Sequence, residues 1–538
     1  MKLNLEGLRD RAAWQAANTL LPSYDVGKAA ERTRQEPMWV HFGIGNIFRI
    51  FVAGIADRLL EEGLTDRGIT CVETFDDEIV DRIFRPCDNL ALAVTLHGDG
   101  TTERKILGSM AEAVKANGGE GERARLKEIF RQPSLQMVSF TITEKGYALH
   151  DAEGRVFPHV AEDLEKGPDA ARGVMGIVTA MLYERYRAGR LPLALVSMDN
   201  VARNGEKLRA SVLETARAWQ ARGYVEEGFL KDLEENERIT FPWTMIDKIT
   251  PRPSPQVAQA LKKDGVEGMD IVVTGRETYI APFVNAEGPE YLVVEDSFPQ
   301  GRPPLEKAGV YMTDRHTVNL SERMKVTACL NPIHSALGPY DVMLGYELFA
   351  DGMEDPELSS LARLVGYGEG LPMVESPGIL SPKAFIDEVI RERFPNRYLG
   401  DTSQRICTDI SMGVPFRFGE TIRAYRDKTG TAENLTGIAL AIAGWLRYLL
   451  GVDDAGKTYP LAPDPMREEL RSALSGVRTD DPASLADQLK PVLANDRIWS
   501  LNLYEAGIGE KIEEIFRDEL RGPGSVRETL KKYLPPQA

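Results

Sequence analysis

A lysine, a carboxamide and an imidazole fall within ten residues, at Lys325, Asn331 and His334 of the segment KVTACLNPIH. A metal-free dehydrogenase requires such a set: a base for the alcohol proton, a donor for the developing alkoxide and a polar group that orients the substrate. Lys325 would act as the base in its neutral form, which burial favours because the charged form loses hydration. Each residue also has a plainer reading. Lys325 can be a solvated helix lysine and His334 a satisfied core histidine. Asn331, followed by Pro332, can be a helix N-cap with proline at the first helical position. Two further candidates lie upstream. Asn200 follows an apolar run over 193–196 and can aim its amide into a cleft as an oxyanion donor, or can simply make a turn near Asn204-Gly205. Asp247, in MIDKITPRPSP, can position a substrate hydroxyl or pair with Lys248.

These groups need a fold to present them and a cofactor to work with. Met38-Trp39-Val40-His41-Phe42 reads as a buried strand. It runs into Gly43-Ile44-Gly45-Asn46 and then a helical apolar pattern through Ile47, Phe51, Ile55 and Leu59. A strand, a Gly-x-Gly turn and a helix place a pyrophosphate over a helix N-terminus. Gly43 takes the tight turn, and Gly45 lets backbone approach the phosphate. Phe48 replaces the third glycine of the usual fingerprint, so an ordinary strand–helix turn stays open as the alternative. Residues 69–73 read as a second strand ending in Glu73, where an acid grips a ribose 2′-hydroxyl. That predicts NAD, with NADP kept possible by the nearby Arg82 and Arg85; a solvated strand end is the plainer reading of Glu73.

Further strand candidates at 90–96, 137–143, 193–198 and 270–274 are interspersed with helices at 172–188 and 206–222. The alternation predicts an α/β domain with a largely parallel sheet. After about Pro304 helical periodicity dominates, at 318–330, 382–393, 420–426, 433–450, 465–474 and 510–520. The proline-rich run 298–304 is the expected junction. The expected organisation is a Rossmann-type dinucleotide-binding domain over 1–304, with a polar lead-in over 1–36, and a mainly α-helical substrate and catalytic domain over 305–538.

Bulk composition narrows the class. The 538 residues are 43% hydrophobic and 27% charged, the balance of a soluble globular protein of two to four domains. A net charge of −17 argues against nonspecific nucleic-acid binding, because phosphates are repelled. A local cationic pocket can still take an anionic small molecule. Cys71, Cys87, Cys329 and Cys407 are scattered, which suits neither a disulfide framework nor a zinc site. No secretory leader and no membrane span are expected, so the expected location is the cytoplasm.

Six segments appear in the order expected of one family: GIGNIFRIFVAG, TITEKGY from Thr141, SMDNVARNGEKLR from Ser197, FPWTMIDKITP from Phe241, RMKVTACLNPIHSAL from Arg323 and GDTSQRICTDIS from Gly400. Together they resemble the mannitol dehydrogenase family, the polyol-specific long-chain dehydrogenases and reductases, over roughly residues 38–520. The resemblance implies a Rossmann-type domain followed by a helical domain, an NAD(P) cofactor and no metal. By matching motifs, Lys325 resembles the general base, and Asn200 and Asn331 the pair that holds the alkoxide. His334 and Asp247 resemble substrate-orienting residues, and Arg405 a substrate-binding arginine. Gly43, Gly45 and Asn46 resemble the cofactor loop. The loop wording GIGNIFRIF looks closest to the uronate branch, which implies interconversion of D-fructuronate and D-mannonate. The fructose/mannitol pair and tagaturonate remain the alternatives. From a different class, so does a nucleotide-binding sensor that has lost catalysis. The implied partner is a small sugar acid or polyol; the oligomeric state is left open.

Two departures from that family carry predictions. Five residues separate Lys325 from Asn331, where mannitol dehydrogenases have four. One extra residue in a continuous helix turns Lys325 by about 100° relative to Asn331 and His334. Pro332 disfavours helical geometry at Asn331 and lacks an N–H. The spacing therefore predicts a helix break or π-type bulge between Lys325 and Pro332. The second departure is Gly413, which stands where mannitol-oxidising members carry a substrate-contacting lysine. Arg417, four residues on, can replace the charge but not its geometry. A carboxylate substrate favours arginine, which makes Arg405 and Arg417 the leading candidates, with Lys248 and Arg252 behind them.

Overall fold

The computed structural model describes residues 1–534 apart from Ala152 and Asn236. The described chain forms two compact units. One comprises Met1–Leu96 with Thr101–Asn319, the other His97–Gly100 with the chain from Leu320 onward.

The first unit is built on six parallel strands: β1 (Trp39–Phe42), β2 (Ile69–Glu73), β3 (Met110–Lys115), β4 (Met137–Phe140), β5 (Leu193–Ser197) and β6 (Ile239–Thr240). Their order across the sheet is β3-β2-β1-β4-β5-β6. This is the doubly wound dinucleotide-binding order, with its switch point between β1 and β4. Strands covered on both faces need apolar residues on both, which is why WVHF, MVSF and LALVS read as continuous buried runs. Successive side chains go to opposite faces. Trp39, Met137 and Val196 join the core that includes Phe48, Val52 and Ile55. Val40, Phe42, Val138 and Leu195 join the other core, with Phe130 and Ile177 from the Glu120–Arg131 and Val174–Arg187 helices and Leu208 from Asn204–Ala221.

Several sequence expectations need correction here. The strand expected over 90–96 exists as Ala91–Leu96 but lies outside the parallel sheet. It pairs antiparallel with Thr102–Leu107 and parallel with Phe283–Glu287. The strand expected over 270–274 shrinks to Val272–Val273, paired with Tyr279–Ile280. β3 was not anticipated: MAEAVK carries two charges and two alanines, weak strand formers. The polar lead-in over 1–36 carries the helices Arg11–Ala16 and Val26–Gln35 and packs as part of this unit. Trp14 is fully buried, its Nε1 donates to the Gly7 carbonyl, and Thr19–Leu20 pairs with Thr102–Leu107. Tyr311–Thr313, beyond the proline-rich run, still pairs with Tyr291–Glu295.

The second unit is helical. Every residue of the Gly437–Tyr448 helix, GIALAIAGWLRY, is buried, as an all-round apolar helix must be. Its N-terminus is closed by the Glu369 carboxylate, which accepts from the backbone N–H groups of Thr436, Gly437 and Ile438 at 2.6–2.8 Å. Gly444 admits the ring of Tyr340, which a Cβ there would meet at 2.4 Å. The Tyr340 hydroxyl lies 2.9 Å from the Leu440 carbonyl and 2.7 Å from Glu519 Oε1. No described helix is long and apolar enough to cross a membrane.

Candidate active site

The Gly-x-Gly turn leaves β1 at the switch point. Gly43 has φ +87°, and a Cβ there would lie 2.1 Å from the Thr141 carbonyl oxygen, so only glycine fits. At Gly45 no atom lies within 4 Å of where a Cβ would stand, which leaves bare backbone facing open space. The residues present thus fit a dinucleotide phosphate. Asn46 opens the following helix, which widens at once into a π turn over Phe48–Val52. Phe48, at the missing third glycine, is buried and stacks on His41 with ring centres 4.2 Å apart.

His41 is a residue that motif reading passed over. Trp39 Nε1–H donates to Ser139 Oγ at 2.7 Å, and Ser139 Oγ lies 2.6 Å from His41 Nδ1. His41 Nε2 lies 2.9 Å from Thr141 Oγ1, which donates to the Gly43 carbonyl at 2.7 Å. Because the Thr141 proton is committed to Gly43, Nε2 must be the donor and Nδ1 the acceptor. One directed chain of hydrogen bonds therefore sets the histidine tautomer and holds the glycine turn. Burial pushes the His41 pKa down to about 3, so the ring stays neutral in that chain. The available signal was a lone histidine in an otherwise apolar strand.

Glu73 ends β2 beside this turn. Its Oε1 accepts from the N–H groups of Thr74, Phe75 and Asp76, and Oε2 makes only a long 3.4 Å contact with Ile44 N. It is buried, not a solvated strand end. Both nearby arginines are committed to acids: Arg82 to Glu78, and Arg85 to Asp81 and Glu122. Phe75 is exposed just beyond, under the Arg276 guanidinium at 4.9 Å.

Asn200 is exposed at the turn after β5. Its neighbour Asp199 is tied down: the carboxylate accepts from Ile142 N and Thr143 N at 2.9 Å and from the Tyr147 hydroxyl at 2.6 Å. Thr143 holds φ +63°, a costly conformation for a β-branched residue. Asn204 closes the arrangement. Its amide donates to the Asp199 carbonyl and to Thr244, and its carbonyl accepts from Gly205 N and Thr244 N. Asn204 thereby bolts the Asn200 turn to the strand Thr244–Asp247, at whose end Asp247 is buried. Lys248 and Arg252 are otherwise engaged. Lys248 is bound by the Glu287 carbonyl and Glu290, and Arg252 stacks on Tyr279 at 4.3 Å.

In the second unit the predicted break is present. The helix Arg315–Met324 runs into a π turn over Lys325–Cys329, closed by Leu330 N–H donating to the Lys325 carbonyl at 3.2 Å. Leu330 leaves helical geometry at φ −131°, ψ −67°, and a new helix runs over Asn331–Met343. The N-cap position belongs to Leu330, so Asn331 is the first helical residue and not the cap. Pro332 sits in that first turn, where its missing N–H costs nothing. A π turn is a one-residue insertion in an α-helix, so it absorbs the surplus residue locally. Lys325 is buried at 1% exposure. Asn331 and His334 are half-buried.

The His334 ring stacks on Phe394 at 4.8 Å and meets Phe349 edge-on at 4.6 Å. Desolvation pushes its pKa down; Asp401 opposes this, and Arg405, Arg417 and Arg393 reinforce it. Among the described hydrogen bonds none uses a ring nitrogen of His334. A neutral imidazole presents one donor and one acceptor, the pair needed to hold a hydroxyl. Arg405 and Arg417 differ. Arg405 is 63% exposed and forked onto the Asp401 carboxylate through Nε and Nη2. Arg417 is half-buried and donates from Nη1 to Ser335 Oγ at 2.6 Å.

Residues 37–307 match the mannitol dehydrogenase Rossmann domain and residues 318–517 the mannitol dehydrogenase C-terminal domain. The chain is 50% identical over 537 residues to a D-mannonate oxidoreductase of Thermotoga maritima, covering 99% of each chain. It is 30% identical over 554 residues to a mannitol 2-dehydrogenase of Neosartorya fischeri, again covering 99% of each. A solved structure of Pseudomonas fluorescens mannitol 2-dehydrogenase, a ternary complex with NAD and D-mannitol, superposes with a TM-score of 0.73 at 26% identity, covering 99% of each chain.

Proposed function

The chain belongs to the mannitol dehydrogenase family, and from that premise we propose that it interconverts D-fructuronate and D-mannonate with NAD as cofactor. The observation that carries this reading is the 50% identity, end to end, with a D-mannonate oxidoreductase, against 30% with a mannitol 2-dehydrogenase of equal coverage. The enzyme is an oxidoreductase acting on a secondary hydroxyl of a sugar acid or polyol.

The bound nicotinamide supplies hydride acceptance in oxidation and hydride donation in reduction. Gly43, Gly45 and Asn46 are the residues proposed to hold its dinucleotide, through backbone N–H groups at a helix start. Glu73 is proposed to face the adenosine ribose. Its negative charge disfavours a 2′-phosphate, and the neutralised Arg82 and Arg85 offer that phosphate no counter-charge, hence NAD. Lys325 takes the proton of the substrate hydroxyl in oxidation and returns it in reduction. Asn200 and Asn331 donate to the oxygen as negative charge grows on it. His334, neutral and held between phenyl rings, donates to one neighbouring hydroxyl and accepts from another. Asp247 accepts a hydrogen bond from a further hydroxyl, and Arg405 and Arg417 address the acid end of the substrate.

The test is a consumption assay with NADH and NADPH in turn against D-fructuronate, D-tagaturonate and D-fructose. The expected result is NADH oxidation with D-fructuronate at the highest kcat/KM. Preference for D-fructose would replace this reading with a mannitol 2-dehydrogenase. Cofactor binding without turnover of any of the three would replace it with a sensor.

A further inference from the structure

Two desolvated arginines elsewhere in this protein are each met by backbone carbonyls. Arg185 donates to the carbonyls of Phe130, Gln132, Leu135 and Pro192. Arg447 donates to the carbonyls of Glu519 and Val452. Arg417 is not compensated in this way. Its described hydrogen bonding is a single contact with Ser335 Oγ, although a guanidinium carries five N–H donors. Burial pushes its pKa down and no carboxylate offsets the effect. The guanidinium also occupies a space that exists only because residue 413 is glycine. A Cβ on Gly413 would stand 2.3 Å from Arg417 Nε and 2.4 Å from Cζ. Ser335 follows His334 on the same helix, and the Arg417 charge is felt at the His334 ring. Arg405, by contrast, already holds a carboxylate, that of Asp401.

A desolvated cation with donors to spare, seated in a slot cleared by a glycine and near an imidazole without a described hydrogen-bond partner, is suited to receive an anion. We propose that Gly413 and Arg417 form a carboxylate-selecting subsite, in which the absent side chain of Gly413 lets the Arg417 guanidinium fork onto the substrate carboxylate. This pair, rather than Arg405, then sets the preference for a sugar acid over a neutral ketose. The inference rests on the sugar-acid reading given above.

The experiment compares the wild-type enzyme with Arg417→Met, Gly413→Ala and the double variant, using D-fructuronate and D-fructose at saturating NADH. The KM ratio of D-fructuronate to D-fructose is expected to rise about 100-fold in Arg417→Met, the loss of a forked charge-assisted pair. Gly413→Ala displaces the guanidinium and shifts the ratio in the same direction. In the Arg417→Met background it is expected to add nothing, because the two residues act as one unit. An unchanged ratio in Arg417→Met overturns the proposal, and so does a Gly413→Ala effect that is fully additive. Thermal unfolding controls for folding: Arg417→Met is expected to hold or raise Tm, since it removes an uncompensated cation. A lowered Tm with unchanged discrimination makes Arg417 structural and the proposal wrong. If the wild type reduces no keto-uronate, the functional reading fails separately. The subsite is then read from inhibition of D-fructose reduction by D-gluconate against sorbitol. Gluconate-specific inhibition lost in Arg417→Met supports it, and equal inhibition of both enzymes overturns it.

Discussion

Lys325 combines 1% exposure with a place at the first residue of a π turn, and its replacement is the most direct probe of the chemistry. Lys325→Met is expected to bind NADH normally in a fluorescence titration while turnover drops about 10²–10⁴-fold, the range for loss of a general base. Near-normal turnover would remove Lys325 from the base role. His41→Ala is expected to weaken NADH binding about tenfold with a smaller effect on kcat at saturating cofactor, because it cuts the hydrogen-bond chain that ends on Gly43. An unchanged NADH dissociation constant would show that the turn holds its shape without that chain. At this scale the sequence was legible where chemistry is local. Lys325, Asn331 and His334 stand out by type and spacing, while their proposed roles rest on the six ordered motifs. Long-range supports were not legible, since Thr141 serves His41 from 100 residues away and Asn204 reaches Thr244 across 40. The Asp401–Arg405 pair was readable as an i,i+4 spacing; the accommodation of Arg417 by Gly413 needed coordinates.

Between residues and the whole lie the elements, and here the Lys325–Cys329 turn gives the sharpest test. It already holds one surplus residue. A variant lacking Val326 is expected to fold and to retain turnover, because a regular α-helical turn replaces the bulge. A variant with one alanine added after Val326 is expected to lose turnover on the order of 100-fold, the usual cost of a misplaced catalytic group. Circular dichroism and steady-state rates distinguish the two, and equal activity in both would mean that the turn does not set the position of Lys325. The break was legible because proline and a count of residues predict it. β3 was not, because MAEAVK owes its strand state to pairing with β2, and tertiary pairing overrides local propensity. Ala91–Leu96 was recognisable as a strand by its apolar residues, but nothing local distinguishes one sheet from another.

At the scale of the whole molecule, stability carries a pH signature from the helical unit. The Tyr340 hydroxyl has one proton and two close oxygens, the Leu440 carbonyl and Glu519 Oε1. Both contacts are hydrogen bonds only if Glu519 is protonated, and burial raises its pKa from 4.5 to about 8. A group whose folded pKa lies above its unfolded value contributes stability that is complete below about 4.5 and is lost as pH rises towards 8. Glu519→Gln keeps a donor without a titrating proton. It is expected to gain stability relative to wild type as pH climbs from 5 to 8, by on the order of a few kcal/mol, in denaturant titrations at each pH. A constant difference across that range would show Glu519 to be charged in the native state. The nucleotide cradle has its own consequence for how the molecule comes into being. Gly43 is locked by a residue 98 positions downstream, Ile142 by one 57 further, and Asn204 by one 40 beyond itself. During synthesis a ribosome-bound chain carries the complete glycine motif long before it owns the partners that shape it. The hydrogen-bond network behind the Gly43 turn is thus completed only after the chain has been made as far as Thr244.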